Sequence, residues 1–189
     1  MIPAVIGLKG RAGSGKSTAA QYLVARHGYA VVKFAGALKS MLSAIGLTVA
    51  EIEGCLKEQP CDLLCGRTPR EAMILLGTEW GRELIHPELW IRLWKRRAED
   101  AMARGAKGIV ADDCRFYNEA AAVRDLGGIV IEIRKQSDWN ETAADSLHVS
   151  EVQNFPADVR MINEGFDKSI LHARLEGALS YIERVGHEL

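Results

Sequence analysis

One stretch carries the strongest signal in this chain: Gly10-Arg11-Ala12-Gly13-Ser14-Gly15-Lys16-Ser17-Thr18. It fits the pattern G-x-x-x-x-G-K-[ST], which is typical of a phosphate-binding P-loop. The required context is present, because apolar residues 4–8 predict a buried strand before it and residues 17–26 predict a helix after it. We therefore expect a strand, a glycine-rich turn and a helix N-terminus that together bind phosphate.

The residue types in this stretch suit that chemistry. Backbone N–H groups of the turn and of the first helical turn converge on a site of positive potential. Glycine permits backbone angles and close approaches that a Cβ would prevent. We expect Lys16 to place its charge at the β- and γ-phosphates of a nucleotide, and the hydroxyl of Ser17 to ligate Mg²⁺.

The composition predicts a single domain with a substantial core. The chain has 189 residues, of which 48% are hydrophobic and 26% are charged, and its formal net charge is −1. This balance argues against broad, non-specific binding of nucleic acid, which needs a strongly basic surface. No apolar run is long enough to span a membrane, and the first strand leaves no room for a signal peptide. We expect a cytoplasmic protein with no nucleic-acid or membrane partner.

The cysteines favour reduced thiols over a metal site. They are Cys55, Cys61, Cys65 and Cys114, and none forms a C-x-x-C pair. A zinc site built from the first three would lack the usual ligand spacing.

The rest of the chain alternates strands and helices. Further strands are predicted at residues 29–34, 108–113, 129–133 and 159–162. Further helices are predicted at residues 35–45, 48–56, 68–85, 89–103, 118–126 and 167–185. This alternation indicates an α/β fold with about five mainly parallel strands and helices on both faces.

Residues 134–148 show no periodicity and are expected to be exposed and mobile. Trp80, Trp90 and Trp94 are expected to lie in the core rather than to stack on a base.

The third predicted strand ends at acidic and basic residues, Asp112-Asp113-Cys114-Arg115. Ligands of parallel sheets bind at the carboxyl ends of the strands, so a carboxylate here is expected to be a direct or second-sphere partner of Mg²⁺. An acidic cap for the following helix is the alternative interpretation. Arg115 fits either a phosphate ligand at this edge or an ordinary solvated arginine.

Five later stretches occur in a fixed order together with the P-loop. They are Phe34-Ala35-Gly36-Ala37-Leu38-Lys39, Thr68-Pro69-Arg70-Glu71, Leu76-Gly77-Thr78-Glu79-Trp80-Gly81-Arg82, Asp113-Cys114-Arg115-Phe116-Tyr117-Asn118-Glu119 and His148-Val149-Ser150-Glu151. In this order and spacing the chain resembles the phage-type deoxynucleoside monophosphate kinases of the P-loop nucleotide kinase superfamily. The resemblance implies a three-layer P-loop kinase fold and ATP-dependent, Mg²⁺-assisted phosphorylation of a deoxynucleoside monophosphate to the diphosphate.

The resemblance also implies roles for individual residues. It surrounds the ATP phosphates with residues 10–18 and places an acceptor-binding helical region at about residues 35–105. It assigns Lys39, Arg70 and Arg115 to the acceptor phosphate, and Asp113, with Ser17, to the metal. His148, Ser150 and Glu151 match a motif at the end of a lid spanning about residues 134–150. If a phage encodes the chain, the compartment is the host cytoplasm.

Two positions depart from the family pattern. Ser17 stands where many relatives have Asp, and it keeps a metal ligand. Ile74 stands where relatives often have Gln, so an amide that could read a base edge is missing and the base preference stays open.

Phosphoryl transfer of this kind needs positioning and neutralisation of charge rather than a strong base. Arg11 and Arg134 are candidates for the charge on the transfer side, although Arg134 could equally be a solvated residue at a strand end. The predicted catalytic residues are Lys16, Arg11, Asp113, Arg115 and Arg134.

Other readings stay open on the sequence alone. Kinases of other small phosphorylated acceptors, such as dephospho-coenzyme A or phosphomevalonate, share parts of these motifs. A non-catalytic ATP-binding module is the alternative from another class. A GTPase would need an N-K-x-D motif, which is absent. A homodimer is compatible with the sequence.

Overall fold

The computed structural model of the protein describes residues 2–136, 155–165 and 167–185. The chain divides into two compact units, one of Met1–Lys33 with Arg97–Leu189 and one of Phe34–Arg96. The strands are β1 Val5–Lys9, β2 Tyr29–Val31, β3 Gly108–Ala111, β4 Ile129–Lys135 and β5 Val159–Asn163. The α-helices are α1 Lys16–His27, α2 Gly36–Ala44, α3 Val49–Ile52, α4 Pro69–Ile74, α5 Leu89–Ala103, α6 Tyr117–Asp125 and α7 Lys168–Val185.

The first unit is built on a five-stranded sheet in the order β2-β3-β1-β4-β5. Every pairing is parallel, which confirms the predicted sheet. All five residues of β1 are buried, as expected for a strand with neighbours on both edges and helices on both faces. The P-loop therefore begins at the carboxyl end of the central strand.

Helices cover both faces of this sheet. On one face Ile6, Leu8 and Ile131 pack with Leu23 of α1 and Leu175 of α7. On the other face α6 approaches β1 so closely that a Cβ on Gly7 would lie 3.1 Å from a methyl group of Val123. Each fully buried aliphatic side chain contributes about 1.5–3 kcal/mol through removal from water. This gives the three-layer arrangement that the sequence predicted.

The second unit is helical and has its own core, which contains Leu38, Leu42, Leu47, Ile52 and Trp90. The predicted burial of two tryptophans is confirmed, because Trp90 and Trp94 are 2% and 1% exposed and Trp94 stacks on Phe34 at 4.4 Å. The same prediction is wrong for Trp80, which is 38% exposed.

The predicted helix at residues 68–85 is two elements. It begins as expected, with Thr68 and Glu71 in a reciprocal capping box, but α4 gives way to a π-helix over Leu75–Ile85. The indole N–H of Trp90 donates to the carbonyl of Gly77 at 2.7 Å, and a Cβ on Gly81 would lie 2.5 Å from the Trp90 ring. A tryptophan from the next helix thus packs against the backbone of this segment, where π-helical geometry replaces the predicted α-helix.

Two shorter elements also differ from prediction. Thr48 and Glu51 form a capping box at the predicted start, but α3 ends at Ile52 instead of residue 56, and a Cβ on Gly54 would lie 2.8 Å from the carbonyl oxygen of Ala50. Between the predicted helices at 48–56 and 68–85, where no element was predicted, the structure has a short 3₁₀ helix, Asp62–Leu64.

Candidate phosphate-binding site

The P-loop occupies a space that admits only glycine at two positions. Gly10 has φ 145° and Gly15 has φ 103°, both in the region that favours glycine. A Cβ on Gly10 would clash with the carbonyl oxygen of Ile133, and a Cβ on Gly15 would lie 2.6 Å from the side-chain nitrogen of Asn163. The ends of β4 and β5, which follow β1 on one side of the sheet, therefore pack closely against the loop.

The N-terminus of α1 is arranged to receive an anion. Its N-cap residue is Gly15, no side chain caps it, and its first turn contains no acidic residue. The N–H groups of a first helical turn lack intrahelical partners and carry the positive end of the helix dipole. A phosphate group can supply the acceptor oxygens that a capping side chain would otherwise provide.

Lys16 lies against the loop that precedes it. Its Nζ donates hydrogen bonds to the carbonyl oxygens of Gly10 at 2.7 Å and Arg11 at 2.8 Å. The pKa of Lys16 is lowered to about 8, chiefly by burial and also by the guanidinium of Arg115, while the carboxylates of Asp112 and Asp113 act to raise it. A phosphate beside this amine would stabilise its protonated form.

Ser17 and Asp112 form the candidate metal centre. The Ser17 hydroxyl donates to Oδ2 of Asp112 at 2.8 Å. Asp112 is buried, and its Oδ1 has no hydrogen-bond partner within the described part of the chain, although Lys33 Nζ lies 3.7 Å away. A hydroxyl beside a buried carboxylate with an unsatisfied oxygen suits Mg²⁺, which binds one or two protein oxygens together with phosphate and water.

Asp113 was the predicted ligand, and the structure pairs Ser17 with its neighbour instead. Asp113 is half-buried and close enough to raise the pKa of Lys16. Both aspartates lie in the turn that follows β3, and Asp112 is the one that contacts Ser17 of α1. A ligand role for Asp113 stays a prediction.

Arg115 and Arg11 occupy different settings around the loop. Arg115 is half-buried, and its backbone N–H donates to Glu119 Oε2 at 2.7 Å. The charge of its guanidinium lowers the pKa of Lys16. Glu119 is buried and also accepts from the N–H of Phe116 at 3.1 Å, so it fixes the turn that presents Arg115. Arg11 is exposed, and its carbonyl oxygen accepts from Lys16.

Lys135 and Asn163 are site residues that sequence reasoning missed. Lys135 Nζ lies 3.1 Å from the position that a Cβ on Gly13 would take, and its charge also lowers the pKa of Lys16. The Asn163 side chain donates to the carbonyl of Ser14 at 2.9 Å. Alternation along β4 places Arg134 and Lys135 on opposite faces, but the P-loop motif does not indicate which face turns toward the loop. Arg134, the predicted residue, instead pairs with Glu132 at 3.0 Å.

The remaining predicted acceptor residues lie in the second unit. Lys39 Nζ is 2.8 Å from Glu53 Oε1, and Arg70 Nη1 is 3.4 Å from Glu58 Oε1. Their role at an acceptor phosphate stays a prediction. His148, Ser150, Glu151 and residues 137–150 of the predicted lid lie outside the described residues.

Two further predictions concern the cysteines and a membrane span. Within residues 2–136, 155–165 and 167–185, no group of three or more His, Cys, Asp or Glu residues could hold a metal ion, and all four cysteines are free. Cys61 donates to Glu51 at 3.2 Å. None of the helices within these ranges is long and apolar enough to cross a membrane.

Comparison with known proteins identifies one curated relative. The chain is 36% identical over 163 residues to the "Putative deoxynucleotide monophosphate kinase" of Acanthamoeba polyphaga mimivirus. The matched residues cover 79% of this chain and 81% of that protein. No family model matches the chain. Among solved structures, TT1252 from Thermus thermophilus superposes with a TM-score of 0.53 and 19% identity over 96% of this chain and 99% of that one. At that identity the likeness concerns the fold, and it supports the three-layer α/β architecture.

Proposed function

Because this chain belongs to the deoxynucleotide monophosphate kinase family of that mimiviral relative, we propose that it transfers the γ-phosphoryl group of ATP to a deoxynucleoside monophosphate. The observation that carries the proposal is the P-loop itself. Lys16 lies on the loop, the Ser17 hydroxyl binds Asp112, and the start of α1 lacks a capping side chain. These are the parts that a P-loop kinase needs to bind a nucleoside triphosphate.

Donor binding follows from these parts. The N–H groups around Gly13 and Gly15 and the amine of Lys16 would bind the β- and γ-phosphates. Lys135 adds a second cation at Gly13. Ser17 and Asp112 would hold Mg²⁺, which neutralises charge on the β- and γ-phosphate oxygens when bound.

The transfer step needs no general base. A phosphate oxygen of the acceptor is already anionic and attacks the γ-phosphorus, while the bond from that phosphorus to the bridging oxygen breaks and ADP leaves. Bringing two phosphate groups together costs about 4 kcal/mol per charge pair at 4 Å near a protein surface. Lys16, Lys135 and Arg115 supply the positive charge that offsets this repulsion. The predicted catalytic roles of Asp113, Arg11 and Arg134 belong to the same proposal.

On the acceptor side we assign Arg115, Lys39 and Arg70 to the monophosphate. Arg115 follows β3 at the carboxyl edge of the sheet, and its planar fork suits bidentate contact with phosphate. Lys39 and Arg70 lie in the helical region at about residues 35–105, proposed as the acceptor-binding part of one kinase domain. The base of the acceptor is left to experiment.

The test is ADP release that depends on the acceptor. Purified protein with ATP and Mg²⁺ is supplied with each deoxynucleoside and ribonucleoside monophosphate, dephospho-coenzyme A or phosphomevalonate. We expect ADP only when a deoxynucleoside monophosphate is present, and a matching diphosphate as the second product. Lys16→Ala, compared with the parent chain by circular dichroism, should bind no ATP and release no ADP.

Three results would overturn the proposal. Turnover with one of the other acceptors alone would assign a different kinase, and ATP binding without any acceptor-dependent turnover would indicate a binding module. Near-normal turnover in folded Lys16→Ala would remove the P-loop from the mechanism.

A further inference from the structure

A half-buried glutamate in the helical unit has a carboxylate oxygen without a partner. Glu79 lies in the π-helix Leu75–Ile85, and its Oε2 is buried with no hydrogen bond across the residues that the structure describes. Glu79 also forms no ion pair with any of these residues. An unsatisfied buried carboxylate oxygen lowers stability, so a bound group that donates hydrogen bonds would explain its presence.

The other two carboxylates of this kind within the described ranges each have a cation nearby. Asp112 Oδ1 has Lys33 Nζ at 3.7 Å and belongs to the candidate metal centre, and Glu132 Oε2 has Arg160 Nε at 3.0 Å. Glu79 has no such neighbour, and the mechanism proposed above does not use it.

The packing of the π-helix turns Glu79 away from the core of the helical unit. Gly77 and Gly81, two residues before and two residues after it, face that core. A Cβ on Gly77 would lie 3.4 Å from Leu38, and a Cβ on Gly81 would lie 2.5 Å from the Trp90 ring. Residues two apart on a helix do not face the same way, so Glu79 lies on the side that this core packing leaves free.

The π-helical geometry also brings Glu79 into line with Arg70. The helical backbone is continuous from α4 into the π-helix, because Ile74 and Leu75 at the junction both have helical angles. In a continuous α-helix the nine residues from Arg70 to Glu79 would make about two and a half turns and place the two side chains on opposite sides. Hydrogen bonds from residue i to i+5 lengthen each turn, so Ile74 follows Arg70 by about one turn and Glu79 follows Ile74 by about one more. The three side chains therefore share one half of the helix surface.

This line of side chains suits a nucleoside monophosphate. Arg70 is assigned above to the phosphate of the acceptor, and Glu79 lies at most about 14 Å further along the helix axis. A base attached to that phosphate through its sugar would lie in the direction of Glu79. Ile74, between them, has no polar group in its side chain, so Glu79 is the member of the line that can accept hydrogen bonds from a base.

A carboxylate selects among the four bases because it can only accept hydrogen bonds. Guanine presents two adjacent donors on one edge, the ring N1–H and the 2-amino group, which match the two carboxylate oxygens. Adenine and cytosine present a ring nitrogen acceptor beside their amino group. Thymine presents one N–H between two carbonyl oxygens. These three bases would each set an acceptor against the carboxylate, which disfavours their binding.

We propose that Glu79 is a specificity-determining residue that accepts hydrogen bonds from the N1–H and the 2-amino group of a guanine base, so that deoxyguanosine monophosphate (dGMP) is the preferred acceptor. The inference rests on the proposed function, because it concerns the acceptor of that kinase reaction. The free protein carries an unsatisfied carboxylate oxygen, which the base satisfies on binding. Glu79 takes no part in the transfer of the phosphoryl group.

The experiment compares the calorimetric affinity of the full chain for dGMP and for deoxyinosine monophosphate, which lacks only the 2-amino group. We expect the wild-type chain to bind dGMP about tenfold or more tightly, the value of one charge-assisted hydrogen bond. The monophosphates of deoxyadenosine, deoxycytidine and thymidine should also bind more weakly than dGMP. Equal affinity for dGMP and deoxyinosine monophosphate would overturn the proposal.

Glu79→Gln keeps the shape of the side chain and replaces one acceptor with a donor. Affinity for dGMP should fall about tenfold or more. Affinity for deoxyadenosine monophosphate should rise, because an amide matches the adjacent amino group and ring nitrogen of adenine. Opposite changes for two purines cannot come from a general loss of structure. Glu83→Gln is the matched control, because Glu83 is exposed on the same π-helix and the loss of its charge should leave both affinities unchanged.

Thermal unfolding gives a second readout that a structural role would not share. Removing a buried charge that has no partner should leave the melting temperature of Glu79→Gln unchanged or raise it. A lower melting temperature together with equal losses of affinity for both purines would overturn the assignment. If Glu79→Gln does not fold, the wild-type comparison of dGMP with deoxyinosine monophosphate decides.

The two proposals fail in different ways. A chain that phosphorylates deoxynucleoside monophosphates without preferring dGMP would refute the role of Glu79 and keep the proposed function. A chain that binds dGMP in the predicted pattern but phosphorylates no acceptor would refute the proposed function and leave the role of Glu79 in base recognition.

Discussion

At the scale of single residues, the site depends on one amine whose charge is easily lost. Lys16 has a pKa lowered to about 8 by burial, with Arg115 adding to the effect. Below that pH the amine is charged and attracts phosphate. Above it the protein without nucleotide is deprotonated at this position, and binding must take up a proton.

We therefore predict that affinity for Mg²⁺-free ATP falls as the pH rises above about 8, with a slope approaching about tenfold per pH unit. Calorimetry at pH 7, 8 and 9 in the presence of a chelator measures this. In Lys16→Arg the guanidinium stays charged, so the slope should disappear. The same slope in both proteins would mean that another group titrates.

Substitution of the two adjacent aspartates should change the Mg²⁺ requirement by different amounts. Asp112 accepts a hydrogen bond from the Ser17 hydroxyl, whereas the charge of Asp113 acts to raise the pKa of Lys16. We expect Asp112→Asn to lower activity at fixed Mg²⁺ by roughly 10–100-fold and to raise the Mg²⁺ concentration that is needed. Asp113→Asn should have a smaller effect. A larger effect of Asp113→Asn than of Asp112→Asn would indicate that Asp113 is the metal ligand, as the sequence predicted.

At the scale of elements, α7 holds the sheet to the helix that carries the P-loop. Leu175 is fully buried and shares the core with Leu23 of α1 and Leu8 of β1. Leu175→Ala should cost about 2–5 kcal/mol in the free energy of unfolding, through lost burial and the cavity left behind. Leu84→Ala is the control, since Leu84 is 76% exposed and should change stability by less than about 0.5 kcal/mol. Urea unfolding measures both, and equal losses would contradict this role of α7.

Element types were predictable where the signal is local. The α5 helix has the predicted bounds, and the starts at Thr48 and Thr68 follow from capping residues within four positions. The π-helix was not predictable, because it accompanies Trp90, which packs from the following helix.

For the site, the P-loop motif located Lys16 and Ser17. It could not choose Lys135 over Arg134, because that choice depends on which face of β4 turns toward the loop. It could not choose Asp112 over Asp113, because the turn after β3 decides which carboxylate meets Ser17.

At the scale of the whole molecule, nucleotide binding should stabilise the fold by mass action. MgADP at 100 times its dissociation constant would add about 2.7 kcal/mol. For a chain of this size that corresponds to a rise of roughly 5–10 °C in melting temperature. We expect this rise in the wild-type chain and its loss in Lys16→Ala, measured by thermal unfolding. A rise of the same size in Lys16→Ala would show that ADP binds elsewhere.

The strand order has a consequence for synthesis on the ribosome. Within the described sheet, β1 pairs with β3 and β4, and β2 pairs with β3. The strand that leads into the P-loop is therefore made first and has no pairing partner until Gly108–Ala111 emerge. At translation rates of about 5–20 residues per second, the delay is roughly 5–20 seconds. During that time the apolar segment Val5–Lys9 is unprotected on the nascent chain, so translation speed and chaperone capacity should control how much of this protein escapes aggregation.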